Sequence, residues 1–206
     1  AYQIARRMKE IKRDLEYLIY GMDNSKVAGS ESTAREMGSF TSYIVDGFEG
    51  GATGVAPTGN GVLGSYAAGT PRAFSEDILT TALENLWNRS GGNENLIAIM
   101  GSKQRGVFSG FTGADTRYVT TDDRKLVASI DVYDGDFHTI TATPDRFCLA
   151  TNVFIQDSEY VKLAELRSMQ SYDLAKIGDS VRKQVVWEVT LEVCNPDAHV
   201  NIAALS

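Results

Sequence analysis

The sequence predicts an α+β fold with antiparallel sheets, and three observations carry this prediction. An amphipathic helical pattern fills the first twenty residues, a helix–strand–helix pattern occupies the middle of the chain, and beyond residue 116 the hydrophobic period changes to two. With 206 residues the chain has room for one large domain or two small ones, and no linker-like stretch divides it.

The first predicted helix covers residues 2–20 and stops at Gly21. Its apolar side chains recur at steps of three and four and form one stripe, which consists of Ile4, Met8, Ile11, Leu15, Leu18 and Ile19. The polar face mixes basic side chains with tyrosines, which are enriched at protein interfaces. A solvated face and a subunit contact both fit this pattern, and the contact hypothesis names Tyr2, Arg6, Lys9, Arg13, Tyr17 and Tyr20.

Residues 21–69 are predicted to hold little regular structure. Thr33 and Glu36 have the spacing of a capping box that would begin a short second helix, and residues 41–45 are typical of a strand. From Gly47 to Gly69 glycine recurs every few residues without any periodicity. This stretch predicts a long, mobile surface loop, another candidate for subunit contact.

The middle of the chain predicts a helix, a strand and a second helix. Ser75 is a suitable N-cap, and Gly91 and Gly92 end the first of these helices. Its apolar face consists of Ile78, Leu79, Ala82, Leu83, Leu86 and Trp87. A short apolar strand follows at 96–100, and a helix is expected to begin at Ser102 and continue to Phe108.

The last ninety residues predict an antiparallel meander. The stretches RYVTT, KLVASIDVY and FHTITAT are rich in β-branched and aromatic residues and are separated by turn-forming acids and glycine. Strand patterns continue at 153–157, 160–166 and 181–193, with a short turn that Gly178 closes. The NPDA sequence at 195–198 then bends the chain toward a final strand.

The composition disfavours two classes of partner. Hydrophobic residues make up 43% of the chain, yet no run reaches the ~20 apolar residues that a membrane-spanning helix needs. The net charge of -7 disfavours a protein that binds the nucleic-acid backbone over a broad surface, which requires a positive field.

Cys148 and Cys194 form no CxxC pair, and we expect both to be buried free thiols. The start at Ala1, without Met or an N-cap, favours a fragment or a processed form.

One acidic run has nearly the composition of a metal site: Asp131, Asp134, Asp136 and His138 lie within DVYDGDFHTIT. The calcium-loop spacing fails, because the twelfth position from Asp131 is Ala142 and not Glu. A single histidine leaves zinc short of nitrogen or sulfur ligands. Asp134 and Gly135 instead form the dipeptide of a tight hairpin turn with positive backbone angles. The sequence therefore predicts a turn, no cofactor and no catalytic residue.

The chain resembles one family of tailed-bacteriophage major capsid proteins. The resemblance is carried by residues 153–202, with the LAKIGDS motif and the alternating strand that follows it. The segments YQIARRMKEIKRDLEYLIYG, AREMGSF and VYDGDFHTITATPDRF are similar to the family in the same order. The family often has a glycine where His138 stands, which weakens a ligand role for that histidine.

The resemblance implies the Hong Kong ninety-seven type capsid fold, in which residues 2–20 are the spine helix. It also implies a peripheral-domain-like part, residues 1–74 with 181–195, and an axial-domain-like part, residues 75–180 with 196–206. The N-terminal arm and the extended loop that family members carry before the spine helix are absent from this sequence.

On that basis we expect a protein that self-assembles into pentameric and hexameric capsomers of an icosahedral head enclosing phage DNA. It would be made in the host bacterial cytoplasm and reside in the virion. Expected partners are copies of itself, together with decoration, portal or scaffolding proteins. A charged turn adds further contact candidates, Asp179, Arg182 and Lys183.

Two alternatives stay open at the level of sequence. One is a metal-dependent hydrolase that uses Asp134, Asp136 and His138. The other is a nucleic-acid-binding module that uses the basic face of the first helix, namely Arg6, Arg7, Lys9, Lys12 and Arg13.

Overall fold

A computed structural model describes residues 2–90, 95–111 and 132–206 and confirms the α+β class. The helices in these ranges are α1 (Tyr2–Tyr20), α2 (Glu76–Ser90) and α3 (Ser102–Ser109), with short 3-10 helices at Phe40–Tyr43 and Pro196–Ala198. The strands are β1 (Phe48–Glu49), β2 (Leu96–Met100), β3 (Val132–Asp134), β4 (Thr139–Pro144), β5 (Val153–Asp157), β6 (Val161–Asp173), β7 (Lys183–Val193) and β8 (Val200–Ile202).

Six strands form one mixed sheet in the order β1-β8-β5-β2-β4-β3. Strands β2 and β4 are parallel, as are β1 and β8, while the other neighbours are antiparallel. The sheet is therefore not the simple meander that the alternation predicts, and only β3 and β4 pair as a hairpin within it. The predicted strand at 117–121 and most of the one at 125–133 lie outside the described residues.

One face of this sheet is covered by α2 and α3. Helix α2 begins as predicted, because the Ser75 hydroxyl oxygen accepts a hydrogen bond from the Ile78 N–H at 3.4 Å. Its apolar face packs with Phe108 of α3 against inward-facing side chains of the strands. The main members of this first core are Leu79, Leu83, Leu86, Ala98, Met100, Phe108, Ile140, Val153, Ile155 and Ile202.

The C-terminal half of α1 covers the opposite face. Leu15 and Ile19 form a second core with Phe40, Ile44, Cys148, Phe154 and Leu191. Successive side chains of a strand point to opposite faces, so Val153 and Ile155 of β5 enter the first core and Phe154 enters the second. Strand β5 is consequently buried along its whole length.

Strands β6 and β7 form a separate two-stranded antiparallel ribbon. Strand β6 continues to Asp173, beyond the predicted end, and the connecting turn carries Gly178 at a φ of +77°. The predicted domain boundary at 180/181 falls within this turn. Strands β6 and β7 pair along most of their length on either side of it.

The segment between α1 and β1 differs from its prediction. No helix begins at Thr33, because Val27 and Glu36 exchange main-chain hydrogen bonds in an isolated antiparallel bridge. Residues 40–43 form a 3-10 turn in place of a strand, since the Ser42 and Ile44 N–H groups donate to the carbonyls of Ser39 and Thr41. This turn buries Phe40 and Ile44 together in the second core.

The glycine-rich stretch, which was predicted to be a long, mobile surface loop, contains no helix and no strand beyond Glu49. Bridges between Val55 and Ala67 and between Gly59 and Val62 fold it onto itself. Gly69 has a φ of +93°, and a Cβ atom there would lie 2.6 Å from the Gly51 carbonyl oxygen, so the packing requires glycine.

The two cysteines differ in burial. Cys148 is buried, which raises the pKa of its thiol to about 12. Cys194 is exposed, so the prediction that it is buried is wrong.

Arg89 at the end of α2 ties three distant segments together. Its guanidinium donates hydrogen bonds to the main-chain carbonyls of Asp46, Asp197 and His199 at 2.6, 3.1 and 3.1 Å. His199 is fully buried, and its Nδ1 accepts a hydrogen bond from the Asp157 N–H at 3.2 Å. Burial lowers the pKa of His199 to about 4; the Asp157 charge opposes this shift and the Arg89 charge adds to it.

Replacing Phe154 by Ala is expected to lower the free energy of unfolding by about 3–5 kcal/mol, because a fully buried ring is removed from the second core. Urea unfolding followed by circular dichroism measures the change. The matched control is Leu166→Ala on the ribbon, whose side chain is 75% exposed and whose removal is expected to cost at most about 0.5 kcal/mol. Equal losses for both variants would contradict the assignment of the core.

Acid is expected to destabilise the fold through His199. Its folded pKa of about 4 lies below the unfolded value of about 6.5, so the unfolded state binds more protons between these values. The stabilisation by the neutral imidazole is complete above pH ~6.5 and is lost as the pH falls toward 4, by up to about 3 kcal/mol. In His199→Gln this contribution to the pH dependence should disappear. An unchanged slope in the variant would assign the acid sensitivity to other groups.

Candidate assembly surface

Helix α1 is only half covered by its own subunit. Leu15 and Ile19 are buried, whereas Ile4, Met8 and Ile11 at the N-terminal end of the same stripe are only partly covered. Tyr2 is 79% exposed. An apolar stripe that continues past the core it serves leaves a surface that another molecule can cover.

Five of the six predicted contact residues on α1 are exposed. Tyr2, Arg6, Lys9, Arg13 and Tyr17 are exposed, as a contact role requires. Arg6 and Arg7 both pair with Glu10, with nitrogen–oxygen distances of 3.4 and 2.7 Å, which partly neutralises the basic face proposed for nucleic acid.

Tyr20 is half-buried and packs against the second core. Its hydroxyl donates a hydrogen bond to the Gln156 Oε1 atom at 2.7 Å, and its ring packs against Phe40 and Phe154 with centroid distances of 5.6 and 5.7 Å. Burial raises the pKa of Tyr20 to about 12. These contacts anchor α1 to β5, and a role of the half-buried Tyr20 in a subunit contact stays a prediction.

The ribbon exposes large apolar side chains on its outer half. Leu166, Ile177 and Val181 are 75%, 68% and 72% exposed, and Tyr172 and Leu174 are nearly half exposed. Sequence reasoning missed these positions, because alternation predicts one buried face for each strand. Among the described strands, no second sheet packs against the outer half of the ribbon. The sequence signal for these positions is the presence of Leu, Ala, Ile and Val in LAKIGDSV, a stretch that was predicted to be a turn.

The charged turn lies at the tip of this ribbon. Asp179 and Arg182 are exposed, and Lys183 pairs with Asp173 across the two strands at 2.8 Å. A cleft of about 930 Å³ separates the N-terminal half of α1 from the ribbon tip. We call it the α1–ribbon cleft, and its lining consists of Tyr2, Gln3, Ile4, Arg6, Arg7, Glu10, Val181, Lys183 and Val185. The fold thus brings Tyr2 and Arg6 together with Lys183, although about 180 residues separate them.

Two further grooves run beside the C-terminal half of α1. One, of about 520 Å³, lies between Leu15, Ile19 and Tyr20 of the helix and Leu163 and Met169 of the ribbon. The other, of about 790 Å³, lies between α1, the segment 26–38 and the ribbon. The indole of Trp187 lines both, so α1 rests on the ribbon at this residue.

The acidic motif does not assemble a metal site in the described part of the chain, where no group of three potential ligands comes together. Asp134 and Asp136 are exposed, whereas His138 is buried with its ring 5.6 Å from that of Trp87. Asp131 lies outside the described residues. The predicted tight Asp-Gly turn is wrong in detail, because Gly135 lacks a positive φ and its N–H donates to the His138 carbonyl oxygen at 3.1 Å across a wider loop.

Comparison with protein-family models identifies the family of the chain. A family model described as SU10 major capsid protein matches residues 1–206. The chain belongs to this family. The capsid protein is accordingly a structural component of the virion and not an enzyme, which removes the hydrolase alternative.

A solved structure is similar to part of the chain. The crystal structure of the virus-like particle from Pyrococcus furiosus shares 14% sequence identity, with 65% of this chain and 54% of that one covered at a TM-score of 0.39. The capsid protein thus spans about half the length of that particle's chain. No curated protein matches the chain. Within the described residues, no helix is long and apolar enough to cross a membrane.

Addition of zinc or manganese is expected to leave the melting temperature unchanged. A site present in the folded state alone would add about 2.7 kcal/mol of stability at a metal concentration one hundred times its Kd. Differential scanning fluorimetry at increasing metal concentration measures this, with Asp134→Asn/Asp136→Asn as the control. A rise in melting temperature that the double variant abolishes would restore a metal-binding role for the acidic loop.

Proposed function

We propose that the capsid protein assembles into pentameric and hexameric capsomers, and that these form an icosahedral shell around phage DNA. The observation that carries this proposal is the apolar surface of the ribbon, whose Leu166, Ile177 and Val181 are about 70% exposed. A two-stranded ribbon is marginally stable in water, and monomeric proteins rarely expose large contiguous apolar patches. Contact with neighbouring copies would cover both the ribbon and the free half of α1.

The proposal keeps the two predicted domains but assigns all of β6 to the peripheral part. Helix α1 and the whole β6–β7 ribbon would form the peripheral part, and the six-stranded sheet with α2 and α3 would form the axial part. Decoration, portal and scaffolding proteins are the further partners we propose, and synthesis would take place in the host bacterial cytoplasm.

The acidic character of the chain fits a shell that holds DNA without adhering to it. The net charge is -7, and the two arginines at the start of α1 are paired with Glu10. A surface of this sign does not release the counterions that drive non-specific DNA binding.

Acidic substitution of the ribbon is expected to block assembly without unfolding the subunit. In Leu166→Asp/Ile177→Asp, two exposed apolar side chains become charged, which penalises burial at a contact but leaves both cores intact. Sedimentation velocity and negative-stain electron microscopy of the full-length protein measure assembly. We expect closed particles or capsomer rings for the parent protein and monomers for the variant.

The matched control is Val107→Asp on α3, which also places a charge at an exposed apolar position but lies away from the ribbon. It should assemble like the parent protein. The proposal would be wrong if the parent protein formed neither rings nor particles, or if both variants assembled normally while keeping the native circular dichroism spectrum.

A further inference from the structure

The α1–ribbon cleft is open where helix and ribbon diverge. Val181, Lys183 and Val185 are alternate residues, so their side chains share the ribbon face that looks toward α1. Ile4 faces them from the helix. Farther along, Leu15 and Trp187 belong to the second core, so that end of the helix–ribbon contact is closed by packing. The cleft therefore combines apolar side chains with polar and charged ones, and it is accessible to a second molecule.

The charge of the cleft is opposite to that of the rest of the chain. Arg6, Arg7 and Lys183 line it with Glu10, and Lys183 is also paired with Asp173, so three basic side chains stand against two carboxylates. The two arginine side chains are 71% and 75% exposed. Helix α1 carries five basic and three acidic side chains, which leaves fifteen basic and twenty-four acidic side chains elsewhere. An acidic surface of a second copy is thus an electrostatically suitable occupant.

One acidic and aromatic surface of the chain has the required character. Asp134 at the end of β3 and Asp136 in the loop between β3 and β4 are exposed, and neither carboxylate forms an ion pair within the described residues. The Asp134 Oδ1 atom accepts a hydrogen bond from the Thr139 hydroxyl. Beside this loop lies Trp87, 45% exposed, with its ring centroid 6.4 Å from that of Phe137. Strand β3 is the edge strand of the large sheet, whereas the cleft belongs to the separate ribbon.

We propose that the α1–ribbon cleft of one copy receives the β3–β4 loop of a second copy, with Arg6 and Arg7 meeting Asp134 and Asp136. The inference rests on the proposed function and names the contact behind it. Because the two surfaces are different parts of the chain, the contact is head-to-tail. Contacts of this type generate closed rings when the rotation closes, as capsomers require, whereas a self-complementary patch stops at a dimer.

A charge swap tests the contact directly. Arg6→Glu/Arg7→Glu and Asp134→Lys/Asp136→Lys each place like charges opposite one another, and the combined fourfold variant restores opposite charges with reversed polarity. Lys103→Glu/Lys162→Glu is the control, with the same charge change as the arginine pair at two exposed positions outside the cleft. Circular dichroism first establishes that each variant is folded, and sedimentation velocity then gives the concentration for half-maximal assembly.

Each double variant is expected to raise that concentration at least about tenfold, and the fourfold variant to return it toward the parent value. The inference is overturned if the fourfold variant assembles no better than the doubles, or if the doubles match the control. These results would leave the proposed function intact. Absence of assembly by the parent protein at every concentration would instead contradict the proposed function and this contact together.

A second measurement identifies the occupant without relying on assembly strength. A photoreactive p-benzoylphenylalanine in place of Gln3, which lines the cleft, should cross-link to a peptide containing Asp134–His138 of another copy. Mixing isotope-labelled and unlabelled protein separates cross-links between copies from those within one copy. Cross-links confined to a different segment would show that another part of the neighbouring copy fills the cleft.

Discussion

A two-stranded ribbon cannot bury both its faces, and this constraint shapes the molecule. Strand β7 packs against α1 through Trp187, Val189 and Leu191 near the sheet, but Val181 at the other end is 72% exposed. Helix α1 shows the same gradient, with Leu15 and Ile19 buried and Tyr2 exposed. The two elements therefore share a common base in the second core and lose their cover in the same direction. Most of the exposed large apolar side chains belong to α1 and the ribbon, whereas the central strands of the sheet are buried.

Strand β5 holds the projecting elements to the sheet. Phe154 carries the second core on one face, while Val153 and Ile155 carry the first core on the other. The hydrogen bond from Tyr20 to Gln156 fixes the end of α1 to this strand. Load on α1 or the ribbon would thus reach a strand that is packed on both sides, and tight packing transmits strain with little deformation. A subunit that bears stress through projecting contacts benefits from such an anchor.

The sequence predicted those elements in which a local signal outweighs the tertiary context. The three-and-four spacing of α1 and the Ser75 cap of α2 are signals of this kind. The predictions for residues 33–45 were wrong, because the bridge between Val27 and Glu36 and the burial of Phe40 and Ile44 outweigh local propensity. The parallel pairing of β2 with β4 depends on which strands meet, and strand periodicity does not encode it.

The candidate site shows the same division between local and long-range information. The exposure of Tyr2 and Arg6 follows from the polar face of an amphipathic helix, and the family resemblance supplied the function. Neither could reveal that Lys183 would join them in one cleft, because that depends on the path of the ribbon. The contacts of the Tyr20 ring with Phe40 and Phe154 likewise depend on tertiary packing and could not be predicted from the helical pattern.

An acidic subunit that associates with its own kind faces a physical conflict. Copies with a net charge of -7 repel one another, but this repulsion is screened beyond a Debye length of about 10 Å at 0.1 M salt. Within that distance the local distribution of charge decides, and here the basic residues of α1 stand apart from a chain that is otherwise acidic. A segregated charge of this kind can orient an approaching copy while leaving the overall repulsion to discourage other arrangements. Apolar contacts of the ribbon and α1 would then supply most of the affinity, and the charges would select the geometry.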